Sequence, residues 1–366
     1  MIWLLMGICI YAILQFQILF FFVILNWKDH HRELKEFPSA SVLITSRNES
    51  KNIDRLLTSL DALDVSGVEV DFWMADDRSE DDTREKLKSW CELQSSRNFV
   101  AISKSDEGKY NENGKANALA ILSDKAKGDI FFLTDTDCKL SPQWIKSGLS
   151  SFPDDSAMHL GITEVESASI FGSLQAVDWL HTLGIVKVMN DLGVGLTGLG
   201  NNMMVRRSTM EETGGFKEIS GSLTEDLELC RLFLKQGKKV SQQVSPGILA
   251  KTKAQEPLTE FLDQRKRWIS GVMTLPIFLK LLLTLELLFF PSIIALLFIQ
   301  PVFALGLWAS KALMQFAFLK TFAQKSGQKT PAHYFFLFDF YQLFTGLISI
   351  LYYFWPSKIV WKSREY

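Results

Sequence analysis

The sequence predicts an α/β fold with a mostly parallel sheet, flanked at both ends by transmembrane helices. An apolar stretch opens the chain, strands alternate with helices through the middle, and long apolar stretches return near the end. Alternating strands and helices favour a parallel sheet with helical crossovers, and ~20 apolar residues suffice to cross a bilayer. The predicted regions are an N-terminal anchor at 1–27, an α/β domain at 38–275 and a membrane region at 276–366.

Residues 1–27 predict an uncleaved transmembrane anchor. They contain no charged side chain, and they lack the basic start, the short apolar run and the small residues at the cleavage site that mark a signal peptide. Lys28, Arg32 and Lys35 follow directly. The positive-inside rule therefore predicts an integral membrane protein whose α/β domain is cytoplasmic, at the inner membrane if the cell is bacterial.

The middle of the chain repeats the order strand, polar loop, helix. Ser41–Thr45 is a short apolar run, and a helical spacing of apolar residues begins at Ile53. Further strands are predicted at 68–74, 99–103 and 130–133. Ligands of open α/β sheets bind beyond the carboxyl ends of the strands, so the polar clusters that follow these strands are the candidate site.

Two of these clusters are pairs of acids at strand ends. Asp135 and Asp137 are separated by one residue, and such hard oxygen ligands suit Mg²⁺ or Mn²⁺ with phosphates and water in the remaining positions. Asp76 and Asp77 occupy the analogous place after an earlier strand, where a carboxylate can accept hydrogen bonds from a base or a ribose. The alternative is that the acids lie in solvated turns or cap helices, including one that starts near Asp81.

Two later clusters carry further candidates. Thr224, Glu225 and Asp226 begin a helix; capping alone explains Thr224, whereas transfer to a hydroxyl needs a carboxylate to accept its proton, for which Asp226 is the candidate. The segment Gln264–Trp268 precedes the first C-terminal apolar stretch. Its basic residues can face lipid headgroups, or they can lie near a diphosphate beside an indole that stacks on a sugar.

The C-terminal membrane region is predicted to hold two to three hydrophobic segments. Residues 281–300, 301–322 and 335–355 are each long enough to cross, although the first two contain Glu286 and Lys311. Three crossings would place the basic C-terminal tail outside, against the positive-inside rule, so one segment is predicted to be re-entrant or interfacial. The alternative is that residues 279–322 form an amphipathic hairpin in the interface.

Charge and cysteine usage exclude other classes of protein. The 366 residues include 39 Lys+Arg and 41 Asp+Glu, a net charge of −2 that gives no electrostatic case for nucleic acid as a partner. The four cysteines form no CxxC pair, so neither a zinc site nor a disulfide framework is indicated.

Taken in order, the motifs resemble those of the membrane-bound family 2 glycosyltransferases, whose members include cellulose, hyaluronan and poly-N-acetylglucosamine synthases and ceramide glucosyltransferase. The resemblance covers about residues 38 to 275 and implies the GT-A fold, which has a Rossmann-like sheet. The motifs are Thr45–Glu49, Asp76–Asp77, Gly114–Ala118, Asp135–Asp137, Gly200–Met203, Thr224–Asp226 and Gln264–Trp268.

The resemblance also implies roles for individual residues. Asp226 would be the general base, and Asp135 and Asp137 would hold Mg²⁺ or Mn²⁺. One departure is Arg78, which stands where these relatives usually have glycine. The residues implied to bind the nucleotide sugar are Thr45, Arg47, Glu49, Asp76, Asp77, Lys115 and Asp135. Those implied to serve the acceptor and the diphosphate are Glu225, Gln264, Arg267 and Trp268.

The function predicted from this resemblance is inverting transfer of a sugar, from a UDP-sugar by analogy, to a lipid or lipid-linked acceptor at the cytoplasmic membrane face. A single transfer is favoured because at most three crossings follow the domain, which would make a polymer channel cramped. One alternative is a processive polysaccharide synthase, acting alone or with a partner subunit. Another alternative is an inactive membrane scaffold. The sequence retains every expected acid, which argues against it.

Overall fold

A computed structural model describes residues 1–358, 360–361 and 364–365. Lys362 of the basic tail lies outside these residues, as do positions 359, 363 and 366. The helices are α1 (Ile2–Leu25), α2 (Ile53–Asp61), α3 (Thr83–Cys91), α4 (Gly114–Lys125), α5 (Trp144–Ser151), α6 (Ile170–Asp191), α7 (Arg207–Thr213), α8 (Glu225–Lys235), α9 (Leu258–Met273), α10 (Ile277–Leu287), α11 (Phe289–Ile299), α12 (Pro301–Ser326) and α13 (Ala332–Phe354).

The strands complete the secondary structure. They are β1 (Ala40–Ser46), β2 (Val70–Asp76), β3 (Arg97–Ala101), β4 (Ile130–Leu133), β5 (Lys139–Leu140), β6 (Ser156–Leu160), β7 (Ile162–Glu166), β8 (Met203–Arg206), β9 (Lys239–Gln242), β10 (Leu249–Lys253), β11 (Val360–Trp361) and β12 (Arg364–Glu365). Short 3-10 helices lie at Lys104–Asp106, Gly215–Lys217 and Pro246–Ile248.

The chain forms two compact units. The sheet unit comprises Lys28–Glu166 and Met189–Lys253, and the apolar-helix unit comprises Met1–Trp27, Ser167–Val188 and the chain from Ala254 onward. Parts of the α/β domain predicted at 38–275 therefore belong to the apolar-helix unit, namely most of α6 and all of α9. The predicted domain boundaries stay a prediction.

The main sheet of the sheet unit has the strand order β3-β2-β1-β4-β8-β6-β9. Strands β3, β2, β1 and β4 are parallel to one another; β8 is antiparallel to β4 and β6, while β9 is parallel to β6. This confirms the prediction of a mostly parallel sheet. Ser46 pairs with Asp76, which pairs with Ala101, so the carboxyl ends of β1, β2 and β3 are level at one edge.

A smaller sheet of order β5-β10-β7 extends the same unit. Strand β5 begins two residues after Asp137 and pairs antiparallel with β10, where Leu140 lies opposite Ala250. Strand β10 also pairs parallel with β7. The small sheet thus brings a strand from late in the chain beside the acidic pair that follows β4.

The core of the sheet unit follows from the apolar runs of the sequence. Val42, Leu43 and Ile44 of β1 are completely buried, as expected of a central parallel strand that is covered on both faces. Trp144 of α5 is also fully buried, and its indole N–H donates to Asn202 Oδ1 at 2.9 Å. That bond meets the requirement that a buried polar group find a partner.

Four helical segments within the described residues are long and apolar enough to cross a membrane: α1, the pair α10 and α11, α12 and α13. They confirm the predicted transmembrane helices and indicate membrane association. Helices α10 and α11 are separated at Leu288 because Pro291 lacks a backbone N–H and its ring crowds the carbonyl of Leu287. The re-entrant or interfacial assignment of one segment stays a prediction.

One group of polar side chains is buried among the apolar helices. Lys311 Nζ lies 2.5 Å from Asp339 Oδ1 and 2.6 Å from Gln315 Oε1. Trp308 Nε1 donates to Asp339 Oδ2 at 2.8 Å. Lys311 is 3% exposed and Asp339 is 2% exposed. The charge of Lys311, which interrupts an apolar stretch of the sequence, is therefore compensated by a carboxylate on the neighbouring helix.

Candidate active site

The loops that follow β1 and β2 are joined by direct hydrogen bonds. Arg47 Nη1 donates to the carbonyl oxygens of Asp77 at 2.7 Å and Arg78 at 3.0 Å. Asn48 Oδ1 accepts from the backbone N–H of Glu80 at 2.8 Å. The segments Thr45–Glu49 and Asp76–Asp77, which the sequence predicts to bind the nucleotide, are thus brought together at the level edge of the sheet.

Asp76 has an unmet hydrogen-bonding need at this edge. The residue is completely buried, its Oδ1 lies 3.3 Å from the backbone N–H of Ser79, and its Oδ2 has no partner within the part of the chain that the structure describes. A buried acceptor left without a donor costs about 1–3 kcal/mol. Asp81 rather than Asp76 accepts the hydrogen bonds of Thr83, the first residue of α3, which does not support the alternative that Asp76 caps this helix.

The acidic pair after β4 is anchored on both sides. Thr136, between the two acids, lies with its Oγ1 2.7 Å from Ser46 Oγ at the end of β1. Asp137 Oδ2 accepts from Thr252 Oγ1 of β10 at 3.0 Å. Asp135 is half-buried, with its side chain 37% exposed. The pair is consequently held at the same edge as Asp76.

Lys115 connects this acidic pair to the start of α8. Its Nζ lies 2.6 Å from Asp135 Oδ1 and 2.7 Å from Glu225 Oε1, and Asn113 fixes the start of α4 by accepting from two backbone N–H groups. Burial alone would lower the pKa of Lys115, but the two carboxylates outweigh it and raise the pKa above its ordinary value. A permanently charged ammonium on α4 therefore bridges acids from two other segments of the chain.

Asp226 is oriented by two backbone amides. The N–H of Gly200 donates to its Oδ2 and the N–H of Leu227 donates to its Oδ1, both at 2.8 Å. Burial and then the neighbouring Glu225 raise the pKa of Asp226 to about 6. The close approach needs glycine at Gly198, where a Cβ would lie 2.3 Å from the backbone oxygen of Asp226.

The structure corrects the capping interpretation of Thr224. Thr224 occupies the position before α8, but its side chain makes no capping hydrogen bond. Its Oγ1 lies instead 3.1 Å from Ser222 Oγ. Capping therefore does not account for Thr224 at the start of α8.

The pKa of Asp226 gives a pH dependence. With Asp226 as the predicted base, which works as the carboxylate, kcat/KM should be level above about pH 6 and should fall about tenfold for each pH unit below it. Initial rates measured from pH 4.5 to 8.5 at low substrate would check this. A profile that stays level down to about pH 4, the ordinary range of an aspartate, would contradict the assignment.

The donor set at Asp135 and Asp137 fits a hard divalent cation. Both residues supply carboxylate oxygens, which suit Mg²⁺ and Mn²⁺. Over the residues that the structure describes, no group of three or more His, Cys, Asp or Glu side chains could hold a metal. An ion here would take its remaining ligands from phosphate and water, as is usual for Mg²⁺.

The remaining predicted site residues, Gln264, Arg267 and Trp268, lie on α9 in the apolar-helix unit. Within that unit, Trp268 meets Trp179 edge to face with ring centroids 5.4 Å apart. Arg265, one residue further along than Gln264, pairs with Asp178 of α6 and lies 4.7 Å from the centre of the Trp268 ring. Whether Gln264, Arg267 and Trp268 serve the same site as Asp226 stays a prediction.

One interpretation of the sequence is that the basic side chains of Gln264–Trp268 face lipid headgroups. Arg265 and Lys266 do not. Lys266 is 6% exposed, and its Nζ donates to the carbonyl oxygens of Trp355 at 2.9 Å and Ser357 at 2.7 Å. These carbonyls follow the end of α13, where a cation is favourable. Arg265 is likewise committed to Asp178.

Sequence reasoning missed the residues that hold the acids in place. Thr252, Ser46 and Thr136 gave no signal, because a lone hydroxyl carries no periodicity and its partner lies far away in the chain. It also gave no role to the bidentate pair of Arg78 and Glu107, whose oxygen and nitrogen atoms lie 2.6 Å apart in both contacts. The backbone of Arg78 is left-handed, with φ 59°, which costs about 1–2 kcal/mol for a residue other than glycine.

The sheet is mostly parallel, two aspartates lie beyond its central strand β4, and a lysine links them to the acids at the start of α8. This fold and site define the protein as a glycosyltransferase of the GT-A type. The chain belongs to glycosyl transferase family 21, whose family model matches residues 97–366. The predicted resemblance to family 2 enzymes is thereby confirmed at the level of a GT-A-type, family 2-like glycosyltransferase.

The proteins that are similar to the chain include two curated relatives and one solved structure. A β-monoglucosyldiacylglycerol synthase of Synechocystis sp. is 25% identical over 249 residues, covering 64% of this chain and 48% of the relative. A probable glycosyltransferase of Bacillus subtilis, YdaM, is 23% identical over 255 residues, covering 67% of this chain and 57% of the relative. The chain thus spans about half the length of the curated relatives that it matches.

The solved structure supports the fold. It is the mannosyltransferase PcManGT from Pyrobaculum calidifontis, in complex with GDP-Man and Mn²⁺. It superposes with a TM-score of 0.58 at 14% sequence identity, covering 97% of this chain and 100% of that chain. The predicted GT-A fold is confirmed.

Proposed function

We propose that the chain is an inverting glycosyltransferase that moves a sugar from a nucleoside-diphosphate sugar, a UDP-sugar by the family resemblance, to a lipid or lipid-linked acceptor. The observation that carries this proposal is the bridge of Lys115 between Asp135 and Glu225. It brings the acids expected to hold the diphosphate beside Asp226, the expected base.

In the proposed reaction, Asp226 accepts the proton of the acceptor hydroxyl while the hydroxyl oxygen attacks the anomeric carbon of the sugar. The bond from that carbon to the diphosphate breaks on the opposite face, which inverts the configuration and releases the nucleoside diphosphate. The pKa of Asp226, about 6, leaves it ionised at neutral pH and still basic enough to take a proton in the transition state.

Charge developing on the leaving diphosphate needs compensation from fixed groups. Lys115 supplies a permanent positive charge beside Asp135. When bound by Asp135 and Asp137, Mg²⁺ or Mn²⁺ would offset the negative charge of the diphosphate. The solved mannosyltransferase holds Mn²⁺ together with its GDP-Man, which supports a divalent cation here.

The acceptor class is inferred from the membrane helices and the names of the relatives. Three of the similar proteins are called β-monoglucosyldiacylglycerol synthases, and the chain has four helical segments able to cross a bilayer in its described part. The basic residues after α1 support a cytoplasmic active site, where nucleotide sugars are made. A glycerolipid with a free hydroxyl is therefore the first acceptor to test.

The test uses the purified full-length chain in lipid nanodiscs with dioleoylglycerol, Mn²⁺ and a panel of labelled UDP-sugars, with mass measurement of the products. We expect a lipid that carries one sugar, and loss of the product when EDTA removes the cation. A polymeric product would favour a processive synthase, with or without a partner subunit. Nucleotide binding without any transfer or donor hydrolysis would favour an inactive scaffold and contradict the proposal.

A further inference from the structure

Arg78 is held rigidly in an unfavourable backbone conformation. Its φ of 59° lies in the left-handed region, where a residue with a side chain persists only if its surroundings fix it. Arg47 Nη1 fixes the backbone by donating to the Arg78 carbonyl at 3.0 Å. Glu107, from the connection that follows β3, fixes the guanidinium with two contacts of 2.6 Å. The plane of the guanidinium is thereby set.

The bidentate pair leaves one donor of Arg78 unused. Nε is buried and makes no hydrogen bond with any described residue; it lies 3.9 Å from Asp77 Oδ1. Two residues earlier, Asp76 Oδ2 is a buried acceptor to which no described residue donates. The three residues from the end of β2 to Arg78 therefore keep an unmet donor and an unmet acceptor. Buried polar groups of folded proteins are normally paired, so both point to a ligand.

A nucleobase matches what this loop offers. Its edge carries both donors and acceptors, and its flat face can stack on the plane of an arginine guanidinium. The bidentate contact with Glu107 keeps that plane in one orientation, so little entropy is lost when a base packs against it. A glycine, which the resembling family usually has at this position, offers neither plane nor donor.

We propose that Arg78, oriented by Glu107, is a specificity-determining residue that forms one wall of the site for the nucleobase of the sugar donor. The inference rests on the proposed function, because it takes the donor to be a nucleoside-diphosphate sugar. Arg78 touches the base and discriminates among bases. Glu107 is a positioning residue that acts through Arg78.

The test measures binding of UDP, GDP, CDP and ADP to the full-length chain in detergent with Mn²⁺, by calorimetry. Arg78→Gly removes the plane and the donor while fitting the left-handed backbone. We expect Arg78→Gly to weaken binding of the preferred nucleotide about tenfold. We also expect the affinities for the four nucleotides to become more similar to one another. Glu107→Gln should weaken binding of the same nucleotide about threefold. The double variant should bind it with the same affinity as Arg78→Gly.

The matched control is Arg84→Ala, which removes an equal charge from an exposed position on α3 and should leave every affinity unchanged. Glu107, whose side chain is 53% exposed, gives a second variant that tests the inference even if Arg78→Gly does not fold. Wild-type affinities and base preference in both variants would overturn the inference alone. A wild-type chain that binds none of the four nucleotides would overturn the proposed donor, and this inference with it.

Discussion

Replacing Asp226 with Asn is expected to lower the rate of sugar transfer by about 10²–10⁴-fold, the usual contribution of a general base. The amide cannot accept the proton of the acceptor hydroxyl, although the side chain keeps nearly the same volume. The measurement is the initial rate of formation of the glycosylated lipid, with the UDP-sugar and the acceptor both saturating. Activity within a few-fold of the wild type would show that Asp226 is not the base.

This variant needs a control because Asp226 also accepts from the backbone amides of Gly200 and Leu227. An Asn side chain has one acceptor oxygen and can satisfy only one of them. Unchanged affinity for UDP and Mn²⁺ in the Asp226→Asn variant would show that the site survives. The matched change is Glu228→Gln on the same helix, where Glu228 pairs with Arg231 at 3.0 Å; its transfer rate should remain near that of the wild type.

The strands and the edge where the acids gather could be predicted because both depend on local patterns. Apolar runs such as Ser41–Thr45 and 130–133 predict buried strands, and parallel strands necessarily end at one edge. The positions of Asp76 and Asp135 at that edge follow from the sequence. Hydrogen bonds across the chain do not: nothing near Lys115 indicates that it contacts Glu225, 110 residues away in the sequence, because side-chain partners depend on three-dimensional packing.

The basic segment before the C-terminal helices shows the same limit. A run of Arg and Lys beside an apolar stretch is usually a membrane-surface signal, and the sequence could not distinguish that from ion pairing within the protein. The structure pairs Arg265 with Asp178 of α6, and Lys266 donates to the carbonyl oxygens that follow α13. The partners are an acid with no motif of its own and two backbone groups, so no sequence pattern could have indicated them.

Lys311→Met is expected to destabilise the apolar-helix unit by about 3–5 kcal/mol, the cost of removing one partner from a buried ion pair. Asp339 would keep the hydrogen bonds from Gln315 and Trp308. It would lose the positive charge of Lys311 that compensates its own, although it is only 2% exposed. The measurement is the unfolding midpoint of the full-length chain in detergent. Lys320→Met, at an exposed position of the same helix, should leave the midpoint unchanged.

Removing both charges distinguishes a charge effect from a packing effect. The double variant Lys311→Met with Asp339→Leu leaves no buried charge, and replacing a buried pair by apolar residues of similar volume is often neutral or stabilising. We therefore expect its unfolding midpoint to return to the wild-type value or above it. If the double variant were as unstable as Lys311→Met, the loss would come from disrupted packing; if Lys311→Met were as stable as Lys320→Met, the pair would contribute nothing to stability.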